Sequence, residues 1–194
     1  MKKLGIMGGT FDPPHLGHLI LAQTAEEFLG LDRVVFVPTA ESPLKGRPPA
    51  APAAARLAMV RAAVAERRKW GVSDWEIRQG GASYSVRTAA HLHREFPDAE
   101  LFWIIGADQL AQLNAWHRID ELCRLVRFVV AVRDGDELER PAHLHPCVKI
   151  EALPMRRFDV SSTEIRARLG AGLPVAFFLP ERVREVIEQG KFYC

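Results

Sequence analysis

The chain has 194 residues, of which 48% are hydrophobic and 26% are charged, and this composition can support the core of one globular domain. The net charge of +2 does not favour a nucleic-acid or membrane partner and suits a small anionic ligand that is bound locally. Because no apolar stretch is long enough for a signal peptide or a membrane span, we expect a soluble, cytoplasmic protein. The spacing of Cys123, Cys147 and Cys194 indicates neither a metal knuckle nor a redox pair, and predicts free thiols.

The apolar pattern predicts strands that alternate with helices along the chain. In the first half it predicts a strand over 4–7, a helix over 16–29 capped by Gly30, a strand over 33–37, a loop over 39–52 and a helix over 53–70. In the second half it predicts strands over 72–77, 101–105, 127–132 and 148–151, and helices over 83–95, 162–169 and 180–189. Several strands are apolar throughout, which is typical of a parallel sheet covered on both faces. We therefore expect an α/β fold with a doubly wound, mostly parallel sheet, forming a single domain over 1–194 with a small C-terminal helical extension over about 155–194.

The first strand ends at a corner that carries chemistry. Gly8 and Gly9 allow a tight turn and close approach to a ligand, and the helix that follows favours an anion at its N-terminus. His15 and His18 are three residues apart, so they share one face of that helix start. Gly17 between them leaves room for close approach by a ligand or a neighbouring strand. The pair could instead be half of a zinc site, although no Glu or third His stands at a matching position.

Two further segments carry weaker signals of the same kind. Gly106 and Asp108 follow the most apolar strand, where an acidic side chain can bind ribose hydroxyls; Asp108 could equally be a helix N-cap. Ser161 and Glu164 have the spacing of a capping box, and the hydroxyls and Arg166 beside them suit a polyphosphate. A plain helix cap explains that segment as well.

Read together, the segment 8–18 (GGTFDPPHLGH) resembles the GTFDPxHxGH signature of the HxGH nucleotidyltransferases, and 161–166 (SSTEIR) resembles their second signature, ISSTxIR. Within that superfamily the chain is most similar to the bacterial nicotinate-nucleotide adenylyltransferases. That likeness also covers the loop 36–45 (FVPTAESPLK), the helix start 56–59 (RLAM), the segment 83–85 (SYS), the segment 104–110 with Trp116 beyond it, and the C-terminal segment 178–193.

The resemblance implies a Rossmann-like nucleotidyltransferase fold and the reaction of ATP with nicotinate mononucleotide to give deamido-NAD and pyrophosphate, by in-line attack without a covalent enzyme intermediate. It also implies Mg²⁺, which we expect ATP to carry because no carboxylate cluster in the sequence indicates a metal site on the protein. The resemblance assigns catalysis to four residues: His15, His18, Lys45 and Arg166. It assigns ATP binding to these residues: Gly8, Gly9, Thr10, Phe11, His15, His18, Gly106, Asp108, Ser161, Ser162, Thr163 and Arg166. It assigns nicotinate mononucleotide to Ser85, Lys45 and Trp116, of which Trp116 would stack on the pyridine ring or be merely a half-buried core aromatic. A homo-oligomer is compatible with the sequence.

The chain departs from the family pattern at three positions. Leu44 stands where the family usually has His, Ser85 replaces Thr, and Arg87 stands where the family often has Asp. A positive charge at Arg87 would favour the acid over the amide mononucleotide, or would only rearrange a surface ion pair. Three alternatives stay open: pantetheine-phosphate adenylyltransferase, preference for nicotinamide mononucleotide, and a catalytically silent nucleotide-binding module.

Overall fold

A parallel β-sheet forms the centre of the fold in the computed structural model, which describes residues 1–44, 46–133, 138–156 and 158–193. Within those residues the sheet has six strands in the order β3-β2-β1-β4-β5-β6. The strands are β1 (Lys3–Gly9), β2 (Arg33–Pro38), β3 (Trp70–Val72), β4 (Glu100–Gly106), β5 (Val126–Arg133) and β6 (Ile150–Met155). The central strands are buried along most of their length, as expected for a sheet covered on both faces. The predicted doubly wound α/β fold is confirmed.

Helices connect the strands and form the C-terminal part of the chain. They are α1 (Leu16–Leu29), α2 (Ala53–Val64), α3 (Trp75–Gln79), α4 (Ser85–Glu95), α5 (Ala107–Leu110), α6 (Ile119–Leu125), α7 (Ser162–Gly170) and α8 (Glu181–Gly190), with a 3₁₀ turn at Leu113–Ala115. Helix α1 has the predicted bounds and ends at Gly30, whose φ of +62° is the left-handed conformation of a helix C-terminus. Helices α7 and α8 also lie within one residue of their predicted bounds.

The segment after α2 differs from the prediction. The helix ends at Val64 rather than at Trp70, because Trp70 is needed in β3, where it is buried and its ring lies 5.5 Å from that of Phe36. The residues predicted as a strand over 72–77 form the end of β3 and the start of α3. An ion pair between Asp74 and Arg78, one helical turn apart (2.8 Å between Oδ1 and Nε), supports that helix.

The last strand and the segment after β4 also correct the prediction. Strand β6 begins at Ile150 and continues through Pro154, whereas the predicted strand covered 148–151. Proline is tolerated there because β6 is an edge strand. Sequence reasoning missed the short helices α5 and α6, whose four and seven residues give too little periodicity to recognise.

The described residues form two compact units. The first comprises the described residues within Met1–Gly8, Leu21–Val35 and Tyr84–Arg157, and the second those within Gly9–Ile20, Phe36–Ser83 and Phe158–Cys194. In the second unit, α2, α7 and α8 share a hydrophobic cluster that includes Met59, Ile165 and Val183, all fully buried. This cluster holds α7, which carries the second signature, on the helices around it.

The prediction of free thiols is wrong for two of the three cysteines. Cys123 in α6 and Cys147 before β6 form a disulfide, with their Cα atoms 5.9 Å apart. The 24-residue separation hid this pairing, because the sequence does not show that α6 and the approach to β6 meet. Cys194 lies outside the described residues. None of the described helices is both long and apolar enough to cross a membrane.

Candidate active site

The first signature forms a tight corner in the second unit. Phe11 has a φ of +50°, a conformation that a bulky L-residue rarely adopts. Its ring lies 5.0 Å from that of His18. A Cβ on Gly9 would lie 3.2 Å from the same ring, so glycine at this position lets Phe11 fold back over the turn.

His15 and His18 lie side by side at the start of α1, as their spacing predicts. Their ring centroids are 3.7 Å apart and their planes differ by 32°. Nδ1 of His18 accepts a hydrogen bond from the backbone N–H of His15 (3.1 Å), which assigns the proton of a neutral His18 ring to Nε2. Nδ1 of His15 is buried without a partner in the described structure, and a buried lone pair costs less than an orphaned N–H. Both rings are therefore expected to present an Nε2–H donor.

Burial lowers the pKa of His15 to about 4. The ring is then neutral at pH 7, because desolvation disfavours the charged imidazolium. At His15 the structure therefore favours a neutral hydrogen-bond donor over a positive charge.

The His15 ring packs closely against the backbone of Gly17. A Cβ at this position would lie 3.0 Å from Nδ1 and 3.1 Å from Cε1 of His15. The absence of a side chain at Gly17 thus fixes where the His15 ring can pack. The sequence had indicated only that Gly17 makes room for an approaching ligand or strand.

Asp12 organises the corner, and sequence reasoning did not single it out. Its buried carboxylate accepts hydrogen bonds from the backbone N–H groups of Ala50 and Ala51 (2.8 and 3.0 Å) and from the hydroxyl of Tyr193 (2.8 Å). Burial, together with the hydrogen bond to Asp12, raises the pKa of the Tyr193 phenol above its usual value. The side chain therefore ties the first signature both to the loop before α2 and to the C-terminal segment.

Arg56 is a second positioning residue that the sequence did not single out. It is 1% exposed, and its guanidinium donates to the carbonyl oxygens of Thr10 (2.7 Å), Ala40 (3.2 Å) and Ala51 (3.3 Å). Burial lowers the pKa of Arg56, and the negative charge of Asp12 opposes that effect. The only signal in the sequence was an arginine in the first turn of a helix that follows a long polar loop. That signal is weak, because an arginine in a helix is ordinarily exposed.

The second signature contacts the first directly. Ser162 donates its hydroxyl proton to the carbonyl of Pro13 (2.9 Å). Arg166 donates from Nη1 to the carbonyl of Asp12 (2.7 Å), and the same nitrogen lies 3.7 Å from the Asp12 carboxylate. Nη2 of Arg166 donates to Thr163 (3.2 Å). These residues are 149 to 154 positions apart in the chain, so the fold brings the two signatures together as the resemblance implies.

Some of the polar groups that the sequence analysis assigned to a ligand form hydrogen bonds within the protein at the helix N-termini. Ser161 is the N-cap of α7, and its Oγ accepts from the N–H of Glu164 (3.1 Å), so this cap is confirmed. At the start of α1, the N–H of Leu16 donates to the carbonyl of Phe178 (3.0 Å). The N–H of His15 is also engaged, by Nδ1 of His18, so the anion-binding capacity that a helix N-terminus provides is reduced at α1 by at least two donors.

Gly8 and the second corner belong to the first unit. Strands β1 and β4 are parallel neighbours, so Gly8 and Gly106 lie towards the same edge of the sheet. Asp108 is exposed in the first turn of α5 and is not the N-cap, which is Gly106. A Cβ on Gly106 would lie 2.7 Å from Oδ1 of Asp108, so glycine here allows the carboxylate to lie against the backbone.

Two of the residues assigned to the mononucleotide, Ser85 and Trp116, also lie in the first unit. Trp116 is half-buried, and its ring meets those of Trp103 and Phe128 nearly perpendicularly, with centroids 6.0 and 6.1 Å away. These contacts orient the indole by its neighbours on β4 and β5. Ser85 is the first residue of α4 and is also half-buried.

Two of the three departures from the family pattern lie on the surface, and the third is the half-buried Ser85. Leu44 is 49% exposed, and Arg87 is exposed as well. Lys45, assigned to catalysis and to the mononucleotide, lies outside the described residues.

Comparison with known proteins identifies the family of this chain. The model of the cytidylyltransferase-like family matches residues 6–168. The probable nicotinate-nucleotide adenylyltransferase of Herpetosiphon aurantiacus is 41% identical, over 100% of this chain and 99% of that protein. The probable nicotinate-nucleotide adenylyltransferase of Opitutus terrae is 39% identical, over 98% of this chain and 97% of that protein.

Solved structures show the same fold at low sequence identity. Plasmodium falciparum nicotinic acid mononucleotide adenylyltransferase complexed with NaAD superposes with a TM-score of 0.80 at 14% identity, over 100% of this chain and 98% of that one. A putative nicotinate-nucleotide adenylyltransferase from Vibrio parahaemolyticus gives a TM-score of 0.70 at 19% identity, over 100% of this chain and 96% of that one. With two signatures in contact and full-length relatives near 40% identity, the chain belongs to the cytidylyltransferase-like family and, within it, to the nicotinate-nucleotide adenylyltransferases.

Proposed function

We propose that this chain transfers the adenylyl group of ATP to nicotinate mononucleotide, forming deamido-NAD and releasing pyrophosphate. The observation that carries the proposal is the contact of the two signatures through Asp12 and Arg166, in the same unit as the paired rings of His15 and His18. The full-length relatives bear the name of this activity.

In the proposed mechanism, a phosphate oxygen of the mononucleotide attacks the α-phosphorus of ATP in line. The new P–O bond forms as the bond to the bridging oxygen breaks, and pyrophosphate leaves with that electron pair. No covalent intermediate on the protein is needed, so catalysis consists of positioning and of stabilising the charge that develops on the phosphates. ATP enters as its Mg²⁺ complex, and the metal is part of the substrate.

The chain's own residues would divide this work by charge. His15 and His18 donate hydrogen bonds from Nε2 to the phosphates, His15 as a neutral ring. Arg166, held in place by the carbonyl of Asp12, supplies positive charge, and Lys45 adds to it. The hydroxyls of Ser161, Ser162 and Thr163 complete the triphosphate site.

The remaining residues assigned to ATP would bind its phosphates and its adenosine. Gly8, Gly9, Thr10 and Phe11 would line the ATP phosphates. Gly106 and Asp108 would hold adenosine, with the carboxylate accepting from ribose hydroxyls.

On the acceptor side, Trp116 would stack on the electron-poor pyridine ring. Ser85 would bind the nicotinate carboxylate, as the family resemblance implies. We also propose that the reaction takes place in the cytoplasm.

The test is pyrophosphate release from MgATP with one of three acceptors at a time: nicotinate mononucleotide, nicotinamide mononucleotide or phosphopantetheine. We expect the highest kcat/KM with nicotinate mononucleotide. Activity with phosphopantetheine alone would refute the proposal. Equal or greater efficiency with the amide mononucleotide would retain the reaction and refute the preference for the acid. Release with none of the three acceptors would instead favour a silent nucleotide-binding module.

A further inference from the structure

A second cluster of reactive side chains lies in the first unit, among residues to which the proposed reaction gives no role. Cys123, His145 and Cys147 each offer one ligand atom, and the three atoms lie within 4.8 Å of one another. Among the described residues, this is the only group of three or more histidine, cysteine and acidic side chains close enough to hold a metal ion. Two sulfurs and an imidazole nitrogen form a soft donor set of the kind that zinc prefers.

The backbone around His145 is fixed although the side chain is exposed. Its N–H donates to Oδ1 of Asn114 (3.0 Å), and its carbonyl accepts from Nη2 of Arg140 (2.9 Å). Arg140 also binds the carbonyl of Val148 (2.8 Å), which closes the segment 140–148 into a loop. Leu144, only 5% exposed, anchors that loop from its inner side. The histidine is thus held at a defined place, as a ligand in a preorganised site must be.

The imidazole is turned towards the sulfurs. Nδ1 of His145 lies 2.9 Å from Sγ of Cys147 and accepts from the backbone N–H of the same residue (3.4 Å), so its lone pair faces the cysteines. In the oxidised chain the Cys147 N–H holds this orientation, and metal binding would replace that long hydrogen bond at Nδ1. The Cα separation of 5.9 Å between Cys123 and Cys147 would also allow both thiolates to bind one ion.

We propose that the reduced chain binds one zinc-class divalent cation through Cys123, His145 and Cys147, and that this state alternates with the disulfide. A phosphine or thiol reductant supplies two electrons to the disulfide, which takes up two protons, and the thiols lose those protons when they bind the metal. The exposure of His145 leaves the fourth tetrahedral position to water. The proposal does not depend on the adenylyltransferase assignment.

The experiment uses the full chain without an affinity tag, reduced with a phosphine and freed of metal. Zn²⁺ binding is measured by competition with a chromophoric chelator, and Co²⁺ serves as a spectroscopic probe of thiolate ligation. We expect one Zn²⁺ per reduced chain and a thiolate-to-cobalt charge-transfer band. The oxidised chain is expected to bind neither metal at this site, which tests the role of the thiols without any substitution.

Ligand variants and matched controls then test the three residues. Cys147→Ser and Cys123→Ser are expected to abolish the charge-transfer band. His145→Ala is expected to weaken Zn²⁺ affinity by at least about tenfold, because a loss of that size is typical even when the replaced residue only hydrogen-bonds a metal ligand. His143→Ala, which removes a neighbouring imidazole and keeps the carbonyl that Asn114 contacts, and Cys194→Ser are expected to change neither.

The proposal is overturned if the reduced wild-type chain binds no more metal than the Cys123→Ser/Cys147→Ser double variant. It is also overturned if His145→Ala and His143→Ala bind Zn²⁺ as tightly as the wild type. The comparison of the oxidised and reduced wild-type chains needs no substitution, so equal metal binding by these two chains would overturn the proposal even if a variant fails to fold.

Discussion

At the scale of single residues, the hydrogen bond from the backbone of His15 to Nδ1 of His18 separates two roles of one imidazole. Nδ1 holds the turn, and Nε2 is the proposed donor to the phosphates. A glutamine can place an N–H near the Nε2 position, whereas an asparagine can place an oxygen near the Nδ1 position. Glutamine can therefore replace the proposed donor at Nε2, and asparagine can replace the acceptor at Nδ1.

We expect His18→Asn to lower kcat by at least about 100-fold, the usual cost of removing one donor to a transition state. His18→Gln should retain clearly more activity, because it keeps a donor near Nε2. Steady-state kinetics and urea unfolding of both variants provide the measurement. Equal activity of the two variants, or full activity of His18→Asn, would refute the donor role.

The buried ring of His15 predicts a pH dependence of stability. Its pKa is about 4 in the folded chain and about 6.5 when unfolded. The unfolded state therefore binds more protons between these values, so stability is highest above pH 6.5 and falls as the pH drops towards 4. For this shift the full loss is about 3 kcal/mol.

His15→Gln should flatten the decline in unfolding free energy between pH 7 and pH 4, measured by urea denaturation. His93→Gln, at an exposed position of α4, is the matched control and should leave the slope as it is in the wild type. If His15→Gln and wild type decline in parallel, the ring is not buried in its neutral form.

At the scale of helices and loops, a substitution at Gly17 should affect the stability of α1 and the geometry of the site in different ways. Replacing a helical glycine by alanine ordinarily stabilises a protein by about 1 kcal/mol. In Gly17→Ala the new Cβ would press on the His15 ring. We expect turnover to fall by at least about tenfold while the unfolding free energy does not fall in proportion.

The control for that substitution is Gly170→Ala at the end of α7. There the added Cβ would meet only the carbonyl of Tyr193, at an ordinary contact distance of 3.6 Å. This variant should keep full turnover. Loss of turnover in both variants would mean that helix substitutions impair activity in general, and not through His15.

The tie between Asp12 and Tyr193 joins the C-terminal segment to the first signature. Tyr193→Phe removes one hydrogen bond to a charged group, and we expect it to cost about 1 to 3 kcal/mol of unfolding free energy. In an Asp12→Asn background the same change should cost less, because the negative acceptor is gone. Urea denaturation of the four proteins in this double-mutant cycle measures the coupling, and additive effects would contradict the tie.

How far the sequence predicts these features depends on the range of the interactions. Local signals identified α1, its glycine stop and the Ser161 cap, because each depends on residues within one or two helical turns. The roles of Asp12, Arg56 and Tyr193 depend on partners up to 181 positions away. The Cys123–Cys147 disulfide was missed for the same reason, and Trp70 was misassigned because its place beside Phe36 is decided by the sheet.

At the scale of the whole molecule, the proposed triphosphate contacts of three residues and the proposed pyridine contacts of two others belong to different units. His15, His18 and Arg166 belong to the second unit, and Ser85 and Trp116 to the first. Each set is positioned by contacts within its own unit: Arg166 by Asp12, and Trp116 by Trp103 and Phe128. Substitutions of Arg166 and of Trp116 should therefore affect different substrates.

We expect Trp116→Ala to raise KM for nicotinate mononucleotide by about tenfold or more, since a lost aromatic stack is worth on the order of 1 kcal/mol beyond its buried area. KM for ATP should stay within about twofold of the wild type. Arg166→Gln should instead lower kcat and weaken ATP binding, because it removes a charge proposed to act on the triphosphate. Initial rates with each substrate varied at saturation of the other measure both effects. If Trp116→Ala weakens ATP and leaves the mononucleotide unaffected, the indole is not the pyridine platform and serves only as a half-buried core aromatic.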